Sequence, residues 1–224
     1  MDFLYLSNII FSDPFAYMVL LFKAGGLGES GLKTYIFRFA GNDGLQQNQG
    51  VRMNLDTVIR KVPDFPKPGV LFYDVTSIFT NPKAYRYAIR EMLKLYKGSA
   101  LDGVIAIESR GFLLGSCFAV ERAVPLVLAR KKGKLPGKTI EESYALEYGQ
   151  ATLQVHREDL VPGRWLIVDD LIATGGTLEA VAKMVERQGG EVAGMFGIIG
   201  LPFLKYGEKI GKYHPKTLID YSGE

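Results

Sequence analysis

Short apolar runs alternate with longer amphipathic segments along the chain from residue 53 onward. The apolar runs predict buried strands at Gly103–Ile107, Pro125–Ala129, Trp165–Val168 and Glu191–Ile199. The segments between them predict helices at 82–97, Phe112–Arg122 and Gly176–Gln188. Asn81 followed by Pro82 is a typical helix start, because the asparagine side chain caps the helix and proline suits its first position.

Alternating strands and helices predict an α/β fold with a mostly parallel central sheet covered by helices on both faces. In such sheets, ligands bind beyond the carboxyl ends of the strands. The polar residues that directly follow each apolar run are therefore the candidate functional residues.

Residues 1–52 have a different character from the rest of the chain. The apolar run Phe15–Phe22 is much shorter than the roughly 20 residues that a membrane helix needs. The segment Gly41–Gly50 is rich in glycine, glutamine and asparagine and is typical of a linker or a disordered stretch. We predict that residues 53–224 form the functional domain. Residues 1–52 are then an atypical extension or mis-annotated upstream sequence, or alternatively a lineage-specific segment that packs on the domain or on a partner.

Charge and cysteine content narrow the class of protein. A formal net charge of +3 over 224 residues gives no basic face for nucleic acid, and we expect neither a nucleic-acid nor a membrane partner. Cys117 is the only cysteine, so an intrachain disulfide is impossible and a reducing, cytoplasmic location is expected.

The strongest motif follows the apolar run Trp165–Val168. Two acids, Asp169 and Asp170, precede a turn that opens a helix and consists of Ala173, Thr174, Gly175, Gly176 and Thr177. Glycines allow close backbone approach, and a helix N-terminus attracts anions, so the turn is suited to phosphate. The two carboxylates suit ribose hydroxyls, or a magnesium ion bound between hydroxyls and phosphate. A nucleotide-triphosphatase loop is disfavoured, because it needs lysine where Thr177 stands.

This arrangement resembles the signature of the type I phosphoribosyltransferases, which bind phosphoribosyl pyrophosphate (PRPP). The resemblance implies that Asp169 and Asp170 hold the ribose hydroxyls and that Ala173–Thr177 holds the 5′-phosphate. It also implies a type I phosphoribosyltransferase fold with a small hood, a flexible catalytic loop, a homodimeric assembly, and Mg²⁺ bound mainly through PRPP with no firm protein ligand.

Three further segments resemble the adenine-specific members of this family. The first is the proline-rich stretch Pro63–Asp74, which in the family forms a hood over the base. The resemblance implies that adenine is recognised by backbone groups near Leu71 and Tyr73 and stacks on Phe72. The family often has arginine at the position of Tyr73, so a side-chain role there is not expected.

The second segment, Glu108–Phe112, follows the strand Gly103–Ile107. Arg110 beside Gly111 at a strand-to-helix turn suits pyrophosphate, through a guanidinium fork and backbone amides. In this family, the peptide bond corresponding to Glu108–Ser109 is usually cis.

The third segment combines the basic run Arg130–Gly137 with Tyr144–Gly149 and is typical of a mobile lid over a polyanion. The resemblance places Lys131 and Lys134 near pyrophosphate and directs Arg130 towards a neighbouring subunit's site. It makes Glu147 the candidate general acid, with Tyr148 beside it.

The resemblance implies that adenine and PRPP are converted to AMP and pyrophosphate. Ala173 favours adenine, because hypoxanthine-guanine relatives carry an aspartate at this point. A phosphoribosyltransferase for xanthine or guanine is the nearest alternative. A PRPP-sensing regulator that binds nucleic acid is a second, although residues 1–52 hold four basic and four acidic residues and so offer it no basic module.

Overall fold

A computed structural model of the protein describes residues 17–23, 32–38, 53–145 and 149–223. The chain forms two compact units, Met1–Arg52 and Met53–Glu224. In the first unit, strands β1 (Tyr17–Lys23) and β2 (Leu32–Arg38) pair antiparallel. The predicted linker Gly41–Gly50 lies outside the described residues. The interpretation of residues 1–52 as an extension or mis-annotated sequence stays a prediction.

The second unit contains a two-stranded hairpin, an eight-stranded sheet and the helices that cover the sheet. The hairpin and sheet strands are β3 (Arg60–Val62), β4 (Phe72–Asp74), β5 (Gly103–Ile107), β6 (Leu126–Lys131), β7 (Thr139–Ala145), β8 (Gln150–His156), β9 (Arg164–Val168), β10 (Leu171–Ile172), β11 (Glu191–Gly200) and β12 (Pro215–Asp220). The helices are α1 (Thr76–Phe79), α2 (Pro82–Leu95), α3 (Gly111–Arg122), α4 (Gly176–Arg187) and α5 (Tyr206–Ile210), with 3₁₀ turns at Leu55–Thr57, Pro202–Leu204 and Gly211–Tyr213.

The sheet is parallel through its centre and antiparallel at one side. Its strand order is β12–β11–β9–β5–β6–β8–β7, and β10 continues β9 along the same edge of β11, since Val168 pairs with Phe196 and Leu171 with Ile199. The β6–β8 and β8–β7 pairs are antiparallel, which the apolar pattern did not predict. The predicted mostly parallel α/β fold is confirmed.

Successive side chains of the central strands point to opposite faces of the sheet and pack in two separate cores. In β9, Leu166 and Val168 pack in the core that contains residues of α2 and α3, whereas Trp165 and Ile167 pack in the core that contains residues of α4. Both faces of the sheet are therefore covered by helices, which explains why the central strands read as continuous apolar runs.

The start of α2 agrees with its sequence signal. Asn81 Oδ1 accepts hydrogen bonds from the backbone N–H groups of Lys83 and Ala84, each at 3.1 Å, and Pro82 is the first helical residue. The helix ends at Leu95, two residues before the predicted end. Among the helices of the described residues, none is long and apolar enough to cross a membrane.

Candidate active site

Strand register brings the polar segments that follow β5, β6 and β9 to one edge of the sheet. Ile107 of β5 pairs with Ala129 of β6, and Ala106 pairs with Val168 of β9. Glu108 and Asp169, which directly follow β5 and β9, therefore lie at the same edge of the sheet as Arg130 and Lys131, the last two residues of β6. The sequence predicted this convergence from the general rule for parallel sheets.

Asp169 and Asp170 form an acidic pair at the end of β9, in which Asp170 is buried and Asp169 is half-buried. The backbone N–H of Asp170 donates to Asp169 Oδ1 at 2.9 Å. Burial, and next the nearby charge of Asp170, raise the pKa of Asp169 well above its ordinary value. A second negative charge is therefore unfavourable in this pair until a cation or a hydroxyl donor approaches.

Arg110 supplies a cation to the pair. Its Nε lies 2.7 Å from Asp170 Oδ2, and the guanidinium is half-exposed while the carboxylate is buried. Among the described residues, Asp170 Oδ2 has no hydrogen-bond partner besides this contact with Arg110. A buried oxygen with unused acceptor capacity is suited to a hydroxyl group of a ligand.

The glycine turn after β10 is supported by the C-terminal part of the chain. Gly175 has φ = +79°, and a Cβ added there would lie 3.2 Å from Tyr206 Cβ and 3.2 Å from Ile210 Cγ1 of α5. Both the left-handed backbone and the close packing require glycine. Gly176 then begins α4, so Thr174 and Thr177 flank a helix N-terminus as predicted. The role of α5 in supporting this turn was not predicted.

Gly111 is needed for close packing rather than for flexibility. A Cβ at this position would lie 2.7 Å from the carbonyl oxygen of Val168 and 3.1 Å from Asp169 Cα. The start of α3 therefore packs directly on the end of β9, which brings Arg110 to Asp170. The Glu108–Ser109 peptide bond is cis, as the resemblance implies.

Glu108 anchors the basic segment at the end of β6. Its Oε2 accepts hydrogen bonds from Lys131 N at 3.0 Å and from Arg130 Nε at 3.3 Å. Arg130 also donates to the carbonyl oxygen of Lys134 at 3.1 Å. Arg130 is thus held within its own chain here, and its role towards a neighbouring subunit stays a prediction. Lys131 and Lys134 are exposed.

The end of β7 lies near the N-terminus of α4. A Cβ built on Gly176 would have Tyr144 Cδ2 at 3.6 Å and the carbonyl oxygen of Ala145 at 3.7 Å. Glu147 and Tyr148 lie outside the described residues, and their roles stay predictions. The strand that leads to them nevertheless runs directly to the glycine turn.

The hood strand β4 pairs with β3, so that Tyr73 lies opposite Lys61. The Phe72 ring is half-buried and meets Phe65 edge-on, with ring centroids 5.0 Å apart. The Tyr73 ring is buried and stacks on Tyr221, with centroids 3.8 Å apart and planes at 14°. Leu71 and Ala173 pack against the core cluster that contains residues of α2 and α3. Sequence reasoning gave Tyr221 no role, since it lies 148 positions from Tyr73.

The site is compatible with magnesium bound through a substrate. Within 53–145 and 149–223, the structure contains no group of three or more His, Cys, Asp or Glu side chains that could hold a metal by themselves. The oxygens of Asp169 and Asp170 are nevertheless hard donors of the kind that Mg²⁺ prefers, and Asp170 Oδ2 has unused acceptor capacity.

Comparison with known proteins identifies the family. The model of the phosphoribosyl transferase domain matches residues 74–202, which include the acidic pair and the glycine turn. An adenine phosphoribosyltransferase from Treponema denticola is 51% identical over 171 residues, covering 76% of this chain and 90% of that protein. The chain belongs to the adenine phosphoribosyltransferase family. The predicted family and type I phosphoribosyltransferase fold are therefore confirmed.

Solved structures of adenine phosphoribosyltransferases have the same fold. The enzyme from Thermoanaerobacter pseudethanolicus superposes with a TM-score of 0.72 at 40% identity, covering 75% of this chain and 98% of that one. The Saccharomyces cerevisiae enzyme, complexed with an imino-altritol bisphosphate and adenine, gives a TM-score of 0.69 at 32% identity, covering 74% and 96%. The matched relatives are thus covered almost completely.

Proposed function

We propose that this chain transfers the phosphoribosyl group of PRPP to adenine, giving AMP and pyrophosphate. The N9–C1′ bond forms as the bond from C1′ to the pyrophosphate oxygen breaks, and the electron pair leaves on pyrophosphate. The base releases one ring proton to become the neutral adenine of AMP. The observation that carries this proposal is the acidic pair Asp169–Asp170, which meets Arg110 and precedes the glycine turn at the carboxyl edge of the sheet.

The acidic pair and the turn are assigned to the ribose 5-phosphate part of PRPP. Asp169 and Asp170 accept hydrogen bonds from the 2′- and 3′-hydroxyls. The 5′-phosphate lies at the N-terminus of α4, where Gly175, Gly176 and the hydroxyls of Thr174 and Thr177 surround it. Support comes from the spare acceptor capacity of buried Asp170 and from the positive potential of a helix N-terminus.

Pyrophosphate is assigned to Arg110, Lys131 and Lys134. Arg110 is half-exposed and ion-paired with Asp170, so it can contact an anion while still balancing the acidic pair. When bound, Mg²⁺ would neutralise pyrophosphate oxygens and lower the barrier to departure of the leaving group. Glu108 keeps the basic segment at the site by binding both Arg130 and the Lys131 amide.

Adenine is assigned to the hood strand. Backbone groups near Leu71 and Tyr73 read the base, Phe72 offers an aromatic face, and Ala173 lines the opposite side. Glu147 accepts the ring proton that purine N7 loses as the N9–C1′ bond forms, and returns it as a general acid in the reverse reaction, with Tyr148 beside it. Support for the backbone role comes from the Tyr73 side chain, which stacks on Tyr221 and is buried.

A base-selection assay tests the proposal. The purified protein is incubated with PRPP, Mg²⁺ and one base at a time: adenine, guanine, hypoxanthine or xanthine. We expect AMP with adenine and no nucleotide above background with the other bases. If only xanthine or only guanine gave a nucleotide, that base and not adenine would be the substrate. If no base gave a product, the proposed transferase function would be wrong.

We also propose that the protein is a cytoplasmic homodimer. The outer face of α3 and the adjacent strand β6 expose apolar side chains, of which Val120 is 79% exposed and Leu113 is 44% exposed. Leu126 and Leu128 of β6 are 37% and 36% exposed. A second copy of the chain is the proposed partner for this face, because an exposed apolar surface of this kind is typical of an interface.

A further inference from the structure

Tyr221, which directly follows β12, is held between the hood and the edge of the central sheet. Its ring stacks face to face on Tyr73 of β4, with centroids 3.8 Å apart. Its hydroxyl donates to Asp56 Oδ1 at 2.6 Å, and Asp56 Oδ1 also lies 2.7 Å from Lys61 Nζ of β3. We call these four residues, Tyr221, Tyr73, Asp56 and Lys61, the tyrosine clamp.

The other end of the clamp is fixed to the sheet near the glycine turn. The Tyr221 backbone N–H donates to the carbonyl oxygen of Gly200 at 3.0 Å. Gly200 pairs with Ile172 of β10, directly before Ala173 and the glycine turn. The clamp therefore connects the strand that precedes the phosphate turn to the hood strand through one side chain.

Each contact of the clamp restrains the hood backbone. Stacking fixes the Tyr73 ring, and Tyr73 is paired across the hairpin with Lys61, whose ammonium group also lies 5.4 Å from the centre of the Tyr221 ring. Lys61 and the Tyr221 hydroxyl lower the pKa of Asp56, so its carboxylate stays charged as an acceptor. Burial raises the pKa of Tyr221, so its hydroxyl stays protonated as a donor.

We propose that Tyr221 is a positioning residue for the base: it sets the position of the Leu71–Tyr73 backbone relative to the glycine turn, and so the distance between bound base and bound ribose. This inference rests on the proposed function, in which the base is read by that backbone. Backbone hydrogen bonds to a purine tolerate little displacement, because a geometry error of about 1 Å can cost a large factor in rate or affinity.

Steady-state kinetics of two substitutions test the proposal. Tyr221→Leu removes both the stack and the hydroxyl, whereas Tyr221→Phe keeps the ring and loses only the bond to Asp56. We expect KM for adenine to rise about tenfold in Tyr221→Leu and about threefold in Tyr221→Phe, with KM for PRPP unchanged within about twofold. The graded response distinguishes ring stacking from the hydroxyl.

Tyr213 provides a matched control. It is buried, whereas Tyr221 is half-buried, and its hydroxyl likewise donates to a carboxylate, Glu186 Oε1 at 2.9 Å, but it packs in the core that contains residues of α4. Tyr213→Leu and Tyr213→Phe should lower the melting temperature while leaving KM for adenine and KM for PRPP unchanged. If the Tyr221 variants acted only through a general loss of stability, the Tyr213 variants would change the KM values in the same way.

The outcomes separate this inference from the proposed function. An active wild type whose Tyr221 variants leave KM for adenine unchanged, or raise both KM values equally, would overturn only the positioning role. If Tyr221→Leu does not fold, Tyr221→Phe alone decides, and an unchanged KM for adenine in that variant overturns the inference. A wild type without activity on adenine overturns the proposed function and this inference together.

Discussion

At the scale of single residues, two adjacent carboxylates at the end of β9 meet different surroundings. Asp170 is ion-paired with Arg110, whereas burial and its acidic neighbour raise the pKa of Asp169. Such a pair is unfavourable for stability and is typical of a functional site, where ligand binding compensates for the strained electrostatics.

Substitution of Asp170 tests the ribose assignment. Asp170→Asn keeps the shape of the side chain and removes the charge that accepts a ribose hydroxyl and balances Arg110. We expect KM for PRPP to rise roughly tenfold or more, since hydrogen bonds to charged groups are the stronger ones. Initial-rate kinetics with varied PRPP provide the measurement. An unchanged KM for PRPP would contradict the assignment of Asp170 to a ribose hydroxyl.

The raised pKa of Asp169 predicts a stability change with a definite pH dependence. A carboxyl group whose folded pKa is raised destabilises the fold as pH increases from its unfolded pKa through its folded pKa. Asp169→Asn should therefore raise the melting temperature at pH 8 and change it much less at pH 4, while PRPP binding weakens. Calorimetry at the two pH values checks this, and a lower melting temperature at pH 8 would contradict it.

Glu147 is tested by its effect on turnover. Proton exchange between Glu147 and purine N7 belongs to the chemical step, so Glu147→Gln should lower kcat by about 100-fold or more while PRPP affinity changes little. Exposed Glu158 offers a control, since Glu158→Gln should leave kcat unchanged. Equal losses in turnover and PRPP affinity would remove Glu147 from the acid role.

At the scale of elements, the close approach of α3 to β9 sets the geometry of the site. The start of α3 reaches the end of β9 only because residue 111 has no side chain. This contact places the guanidinium of Arg110 at Asp170, on a neighbouring strand end. The general sheet rule predicted the convergence of these segments, but the contact that fixes their distance depends on the packing of the helix.

Gly111→Ala tests that contact. The added Cβ would lie 2.7 Å from the Val168 carbonyl oxygen, so α3 must shift away from β9. We expect a loss of about 1–3 kcal/mol in the free energy of unfolding, together with weaker PRPP binding. Gly98→Ala is the control, because a Cβ there has no atom within 4 Å among its described surroundings. Equal stability of the two variants would contradict the packing role.

At the scale of the whole molecule, the Met53–Glu224 unit has two surfaces of different chemical character. The carboxyl edge of its sheet gathers the charged and glycine-rich segments, whereas the outer face of α3 with β6 exposes apolar side chains. Exposed apolar side chains on a folded domain lower its solubility unless they are covered, which supports assembly through this face.

Charge introduced on that face should separate the subunits. We expect the wild type to have twice the 24.8 kDa chain mass in light scattering after size exclusion, and Val120→Glu to shift towards the single-chain mass. Val161→Glu is the control, since Val161 is 53% exposed but lies in the turn before β9. A wild type with the single-chain mass would contradict the dimer.

The sequence by itself determined the fold class, the family and the order of the candidate segments. These depend on local patterns: apolar runs, a capped helix start at Asn81, and the acids and glycines of 169–177. Each pattern can be recognised from a few neighbouring residues. The same patterns gave no reason to connect Tyr221 with Tyr73, Glu108 with Arg130, or Tyr206 with Gly175.

Only the tertiary structure decided those partnerships, because each joins residues that are distant in the chain and meet where separate elements pack. Tyr221 stacks on Tyr73 because β12 runs beside β11 towards the hood, a placement that side-chain packing and strand register impose together. Charge balance in the acidic pair likewise depends on Arg110, which lies between β5 and α3 and not next to the pair in the chain. Local chemistry therefore determined which groups are available, and packing determined which of them meet.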